Sequence, residues 1–328
     1  MKAYRDTDYL HATARVRALE NGMVTRRDFQ KMIDAKTVEE AYKVLSDAPI
    51  CHGAPMQDYE QALEQNLLDA YQLLDRIAPG TGLTQLFRYQ YDGHNFKTAI
   101  KSRRGGGDTS GVYSNLGNLP AKAVVAQVES GRVEGVPAPL ADAALEASDV
   151  LAKTGDPQAV DILLDRGILA SMVQQAEEIA NPFVKKYVEA QVDIANIRAA
   201  VRLKRMGKNA FFLGKVLAPG GRIPVSAISE SYTKGYDAIL AVVSGSPYGR
   251  ALEPAYDAIR GGGSLSLFEK LCDNALVAVL DEVRRIPFGI EPLLAFLAAK
   301  EGETKAARIV MASKLAGVPP QQITERLR

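Results

Sequence analysis

PFVKKYVEAQVDIANIRAAVRLKRMG, residues 182–207, reads as one long helix. Pro182 suits the first helical position, where its missing N–H would be unpaired anyway. Apolar side chains recur at Val184, Val188, Val192, Ile197, Val201 and Leu203, close to the helical period. Gly207 closes the stretch. Its centre carries Asp193-Ile-Ala-Asn196-Ile-Arg198. Asp and Asn are mediocre helix formers, so both inside a long helix point to a specific task.

The same spacing occurs twice more. Asp92-Gly-His-Asn95-Phe-Lys97 lies 101 residues earlier, and Glu303-Thr-Lys-Ala306-Ala-Arg308 lies 110 residues later, with Ala in place of Asn. The flanks agree: Ile100, Val201 and Met311 follow at one offset, then Arg103, Lys204 and Lys314. An acid lies well upstream each time, at Glu64, Asp165 and Asp273. We therefore expect three similar helical units, 1–104, 105–207 and 208–328.

Composition sets the frame. The 328 residues supply ample chain for a large core. Hydrophobic residues at 47% and charged residues at 24% are ordinary for a soluble globular protein. A net charge of +1 argues against a general polyanion-binding surface, so no nucleic-acid partner is expected. Cys51 and Cys272 have no pairing pattern, which indicates a reducing compartment. The N-terminus has no apolar signal core, and runs such as Ala275–Leu280 are far too short to cross a bilayer. The expected location is the cytosol or a membrane surface.

Helix signals fill the chain. Tyr9–Asn21 is closed by Gly22; Thr25 with Asp28 and Thr37 with Glu40 resemble capping boxes. Long helices are expected over 54–77, 83–103, 158–180 and 265–285. Pro79-Gly80-Thr81-Gly82 is a turn and Gly105-Gly106-Gly107-Asp108 a linker. Gly93 inside a helix costs about 1 kcal/mol against Ala, so it marks close helix packing. Residues 292–300 and 303–315 read as one helix despite Gly302, and Pro319-Pro320 opens the last. No run alternates with period two. The expected class is all-α.

Motifs for chemistry are absent. Gly207-Lys208-Asn209 and Gly214-Lys215-Val216 lack the upstream Gly and the hydroxyl of a phosphate-binding loop. His11, His52 and His94 fall on separate elements, so no metal-ligand spacing arises. No nucleophile elbow appears. No catalytic residue, metal or cofactor is therefore assigned. Two basic clusters, Lys101-Ser-Arg103-Arg104 and Arg202-Leu-Lys204-Arg205-Met-Gly-Lys208, end long helices, where cations complement the helix dipole. Binding of nucleic acid or anionic lipid is the alternative.

The repeated charges carry a geometric expectation. Lys97 lies five residues from Asp92, about 140° around the helix, and cannot pair with it well. In an antiparallel hairpin, residues equidistant from the turn lie level. Counting out from each turn gives Glu64–Lys97, Asp165–Arg198 and Asp273–Arg308 as expected cross-hairpin ion pairs. Such pairs would orient each hairpin rather than do chemistry; solvated surface charges are the other reading.

The segment ARVRALENGMVTRRDFQKMIDAKTVEEAYKVL resembles the N-terminus of the C-type subunits of the V-type and A-type (A/V) ATPases, a family related to the eukaryotic d-type subunit. YVEAQVDIANIRAAVRLKRMG, LAPGG and the stretch from Pro287 to Arg328 resemble that family's middle and end, the last most specifically. Gly302, Ala306 and Gly105–Gly107 depart from the usual pattern. The resemblance implies a non-catalytic rotor part, a pseudo-threefold funnel of three helical domains. It implies one copy per complex on the cytoplasmic face of the proteolipid ring. There it would receive the central stalk subunits of D and F type and transmit torque between ATP chemistry and proton or sodium movement. The competing readings are an all-α scaffold or adaptor unrelated to ion transport and an enzyme with a dispersed helical site. A solenoid adaptor would repeat every 20–50 residues. An enzyme would show strongly perturbed titratable groups clustered in a deep pocket.

Overall fold

Helix starts follow local chemistry. The Thr25 hydroxyl accepts the Asp28 N–H while the Asp28 carboxylate accepts the Thr25 N–H, a complete capping box. Thr37 caps the next helix through the Glu40 N–H. Asn181 accepts from the N–H groups of Phe183 and Val184, so the long central helix begins at Pro182 as expected.

The computed structural model describes residues 5–105 and 111–327. Its helices are α1 (Leu10–Glu20), α2 (Arg26–Asp34), α3 (Val38–Ser46), α4 (Tyr59–Ile77), α5 (Leu83–Gly105), α6 (Ala121–Ser130), α7 (Ala138–Thr154), α8 (Pro157–Ile179), α9 (Pro182–Arg205), α10 (Ala210–Val216), α11 (Val225–Lys234), α12 (Tyr236–Ser244), α13 (Gly249–Leu252), α14 (Tyr256–Arg260), α15 (Ser266–Asp281), α16 (Ile290–Leu315) and α17 (Pro320–Arg326). No strand occurs among the described residues, and the all-α class holds. From Gly106 onward the expected linker lies outside the described residues. Gly302 does not break α16, where a Cβ added to it would meet nothing within 4 Å.

The chain divides into two compact units, Met1–Thr84 with Leu280–Arg328, and Gln85–Val279. In the first, α16 packs against α1, α2, α3 and α4. Its core joins Phe29, Met32, Ile33 and Leu45 to Val310, Met311 and Ile323, so the two ends of the chain share one apolar interior. Burial of that shared surface is the main force holding the segments together.

Two apolar cores are described within the second unit. One is built on Phe96, Ile100, Val124, Leu140 and Leu164. The other is built on Ile194, Ile197, Val201, Leu213, Ile239 and Phe268. Helix α8 packs against α7 and α9. A Cβ at Gly93 would run into the end of Ile168, and one at Gly167 would lie 2.6 Å from the Ala143 Cβ. Both glycines thus mark close helix approach, as expected for Gly93.

Candidate functional site

The repeated acidic string builds a clamp. On α5, Asp92 and Asn95 are completely buried. Three residues apart, they share one helix face. The Asn95 amide donates to the Ser114 carbonyl and accepts the Ser114 N–H, both at 2.9 Å. Asp92 Oδ1 accepts the Leu119 N–H at 3.0 Å and Oδ2 accepts the Asn118 amide at 2.8 Å. The clamped loop delivers Pro120, which opens α6.

Helix α9 repeats this. Asn196 exchanges both hydrogen bonds with the backbone of Ala218. Asp193 accepts from the N–H groups of Ile223 and Arg222 and from the Tyr248 hydroxyl. The clamped loop delivers Pro224, which opens α11. Equivalent glycines make the approach possible. A Cβ at Gly117 would lie 2.6 Å from Asp92 Oδ1, and one at Gly221 would be driven into Asp193 Oδ1.

The third string, on α16, keeps half the device. Glu303 Oε1 accepts the Val24 N–H at 2.6 Å, next to the Thr25 cap of α2. Its other oxygen takes the Lys300 ammonium at 2.6 Å, both groups being buried. Ala306 offers no polar group, so no Asn-type exchange forms there. The three receiving segments share a pattern: Gly117-Asn-Leu-Pro120, Gly221-Arg-Ile-Pro224 and Gly22-Met-Val-Thr25. Each acid therefore holds a loop that belongs to the next stretch of chain, and the last acid holds the first.

Burial raises the Asp92 and Asp193 carboxyls above the usual carboxylate range, opposed by the N–H groups they accept. Asp193 in turn contributes to a raised Tyr248 hydroxyl, behind burial itself. Hydrogen bonds to loop backbone account for these acids as structural groups. Buried polar groups are costly unless paired, and these are paired.

Two of the ion-pair candidates require a correction. Lys97 reaches Asp165 at 2.5 Å rather than Glu64, and Arg198 reaches Asp273 rather than Asp165. Arg308, expected opposite Asp273, donates to Glu60 at 2.7 Å, one helical turn before Glu64. Distance from a turn sets height along a helix but not direction around it. Each cation points to the acid of the following segment, the same shift the clamps show. A second rung accompanies two of them: Lys101–Asp161 at 2.5 Å and Arg202–Glu269 at 2.5 Å.

The basic clusters at the ends of α5 and α9 serve neighbouring helices. Arg103 donates to the Val128 carbonyl in the last turn of α6, and Arg205 to the Ile259 carbonyl in α14. Both satisfy carbonyls near a helix C-terminus. The Arg104 side chain lies outside the described residues. The clamp roles of these loops, of Gly117 and Gly221, and of Tyr248 and Lys300 escaped the sequence reading. The signal was present in the Gly-x-apolar-Pro spacing, 104 residues apart.

No helix among the described residues is long and apolar enough to cross a membrane. The family model for the ATP synthase (C/AC39) subunit matches residues 12–326. The chain is 23% identical to the C-type subunit of the V-type sodium ATPase of Enterococcus hirae, covering 98% of each chain. It is 23% identical to the C-type subunit of the A-type ATP synthase of a Desulfurococcus species, over 98% of this chain and 91% of the relative. For the corresponding A-type ATP synthase protein of Pyrococcus horikoshii the identity is 24%, over 98% of this chain and 90% of the relative. With the match running through all three clamp helices, the chain belongs to the ATP synthase (C/AC39) subunit family.

Proposed function

We propose that this chain is the non-catalytic rotor part that joins the central stalk of an A/V-type ATPase to its membrane proteolipid ring. In this reading it lies on the cytoplasmic face, one copy per complex. It receives the D- and F-type stalk subunits and passes torque between ATP turnover and proton or sodium movement. The observation that carries the reading is the family match over residues 12–326. The clamps support it: the strongly buried acids are bonded to loop backbone, which suits a part that must transmit force rather than react.

We further propose that the working modules are 1–104, 105–207 and 208–328, arranged as a pseudo-threefold funnel. The support is the shifted pattern of contacts. The clamp of the first module holds a loop of the second, that of the second a loop of the third, and Glu303 returns to Val24. A load applied to one module would pass to the next through hydrogen bonds as well as through the chain.

Co-purification tests the assignment. The tagged chain, extracted from its native membrane, should bring down the stalk subunits and the ring. Nucleotide turnover by the purified chain that survives removal of contaminants would sink it.

A further inference from the structure

One basic stretch is not absorbed by clamps or caps. The 36 residues from Ile194 to Ser229 hold seven Lys and Arg and no Asp or Glu. Four of the seven are committed. Arg198 and Arg202 pair with Asp273 and Glu269, Lys204 donates to the Tyr232 carbonyl, and Arg205 donates to carbonyls of α14 and Gly263. Two of the remaining three, Lys208 and Lys215, flank the corner between α9 and α10.

That corner exposes apolar side chains. Phe211 is 74% exposed, the highest value among the large hydrophobic residues described, and Met206 is 60% exposed. Helix α10 has no need of an outward Phe. Its inner side already packs Phe212, Leu213 and Val216 on the core. Phe211 and Lys215, four apart, share the outer face, with the Lys215 ammonium 4.6 Å from the Phe211 ring centroid. Lys208 lies 5.2 Å from the Phe212 ring. Arg166 donates to the Lys215 carbonyl at 3.2 Å, which brings a third cation to the same corner. Among the described residues no carboxylate lies within ion-pair distance of Lys208 or Lys215.

We propose that this corner is a contact site for a bilayer surface carrying anionic headgroups, with Phe211 and Met206 entering the headgroup–acyl boundary and Lys208, Lys215 and Arg166 facing lipid phosphates. A scattered exposed apolar residue needs no partner. Here, however, the apolar tip coincides with three cations and an acid-free stretch of chain. A protein partner would call for a broad apolar centre depleted of charge, about 800 Å² per side. Two apolar side chains ringed by cations instead fit the layered polarity of a lipid interface. The inference does not rest on the rotor assignment, and the isolated full-length chain tests it.

The chain has no tryptophan, so F211W places a single reporter at the tip. Its emission should shift to the blue with vesicles of phosphatidylcholine mixed with phosphatidylglycerol, and not with phosphatidylcholine alone. In co-sedimentation with the mixed vesicles, wild type should bind and added salt should weaken it. The pair K208E/K215E should lower affinity at least about tenfold, and Phe211→Ser several-fold, with unchanged helical circular dichroism. A wild-type chain that stays in solution, an unshifted reporter, equal binding to both vesicle types, or variants that bind as well as wild type would each overturn the proposal. So would variants that keep vesicle binding and lose only association with other proteins of the complex.

Discussion

The clamps of α5 and α9 and the remnant on α16 solve one problem in two ways. In the unit that contains α5 and α9, an Asp and an Asn grip backbone or side-chain donors and one carbonyl on each loop. In the other unit, Glu303 makes one backbone bond and commits its second oxygen to Lys300. The receiving glycine differs too. A Cβ at Gly117 or Gly221 would collide with the acid, whereas the nearest atom to a Cβ at Gly22 would belong to Pro49, at 3.2 Å. What α16 lacks in polar grip it replaces with apolar contact: Ala307, Val310 and Met311 sit in the core beside Phe29, Met32 and Leu45. A polar clamp fixes a loop's position; an apolar seam supplies stability with less positional demand.

Breaking the α16 device should cost most. Glu303→Ala leaves the Lys300 ammonium buried without its acid, and about 4 kcal/mol of unfolding free energy should be lost in urea denaturation. The double substitution K300M/E303L should recover more than half of that. A double variant as unstable as Glu303→Ala would show that the Val24 bond, not the charge pair, matters. Next in size, Asp193→Ala strands the Ile223 and Arg222 N–H groups and the Tyr248 hydroxyl, for about 3 kcal/mol. Asn196→Ala strands both backbone groups of Ala218, for about 2 kcal/mol. The glycines sharpen the contrast. Gly117→Ala should cost about 2 kcal/mol through the Asp92 contact, while Gly22→Ala should stay within about 1 kcal/mol. Equal costs would mean that the two loops are held alike.

Titration separates the units by sign. Asp92 and Asp193 are raised by burial, so the folded state binds protons more tightly than the unfolded chain. Their contribution is fully present below the ordinary value of 3.8 and is lost as pH rises through the raised values. Asp28, in the other unit, is lowered to about 2 by its bonds to Lys31 and Thr25. Its contribution is present above 3.8 and is lost as pH falls toward 2. The variant D92N/D193N should therefore lose less stability than wild type between pH 4 and neutrality. A parallel pair of curves would contradict the raised values. The smallest effect belongs to the outer ion pairs. Lys97→Ala should change stability by under about 1 kcal/mol, since the Asp165 side chain is 63% exposed. Arg198→Ala should cost more, because Asp273 and Glu269 are largely covered.

The fold was legible wherever local chemistry decides. Pro182 after Asn181, Thr25 with Asp28, and Gly93 each state a helix start or a close approach that needs no knowledge of the rest of the chain. The Asp–Asn strings were legible as special but not as clamps. A buried carboxylate has to be satisfied, yet sequence spacing alone does not say by which backbone. Two of the ion pairs, those of Lys97 and Arg198, were misassigned for a related reason. Equal distance from a turn ignores direction around the helix, and Lys97 and Arg198 face the following segment instead of the preceding one. The shift by one segment is a tertiary fact, although the recurring Gly-x-apolar-Pro hinted at it.

The coupling ratio tests the rotor assignment most directly. Ions moved per ATP hydrolysed would be measured in vesicles holding the complete complex, and again in vesicles whose complex lacks this chain. The account predicts that the depleted complex still hydrolyses ATP and that its ratio falls to background, with restoration when the purified chain is added back. Undiminished pumping by the depleted complex, or loss of hydrolysis together with pumping that the added chain does not restore, would contradict it.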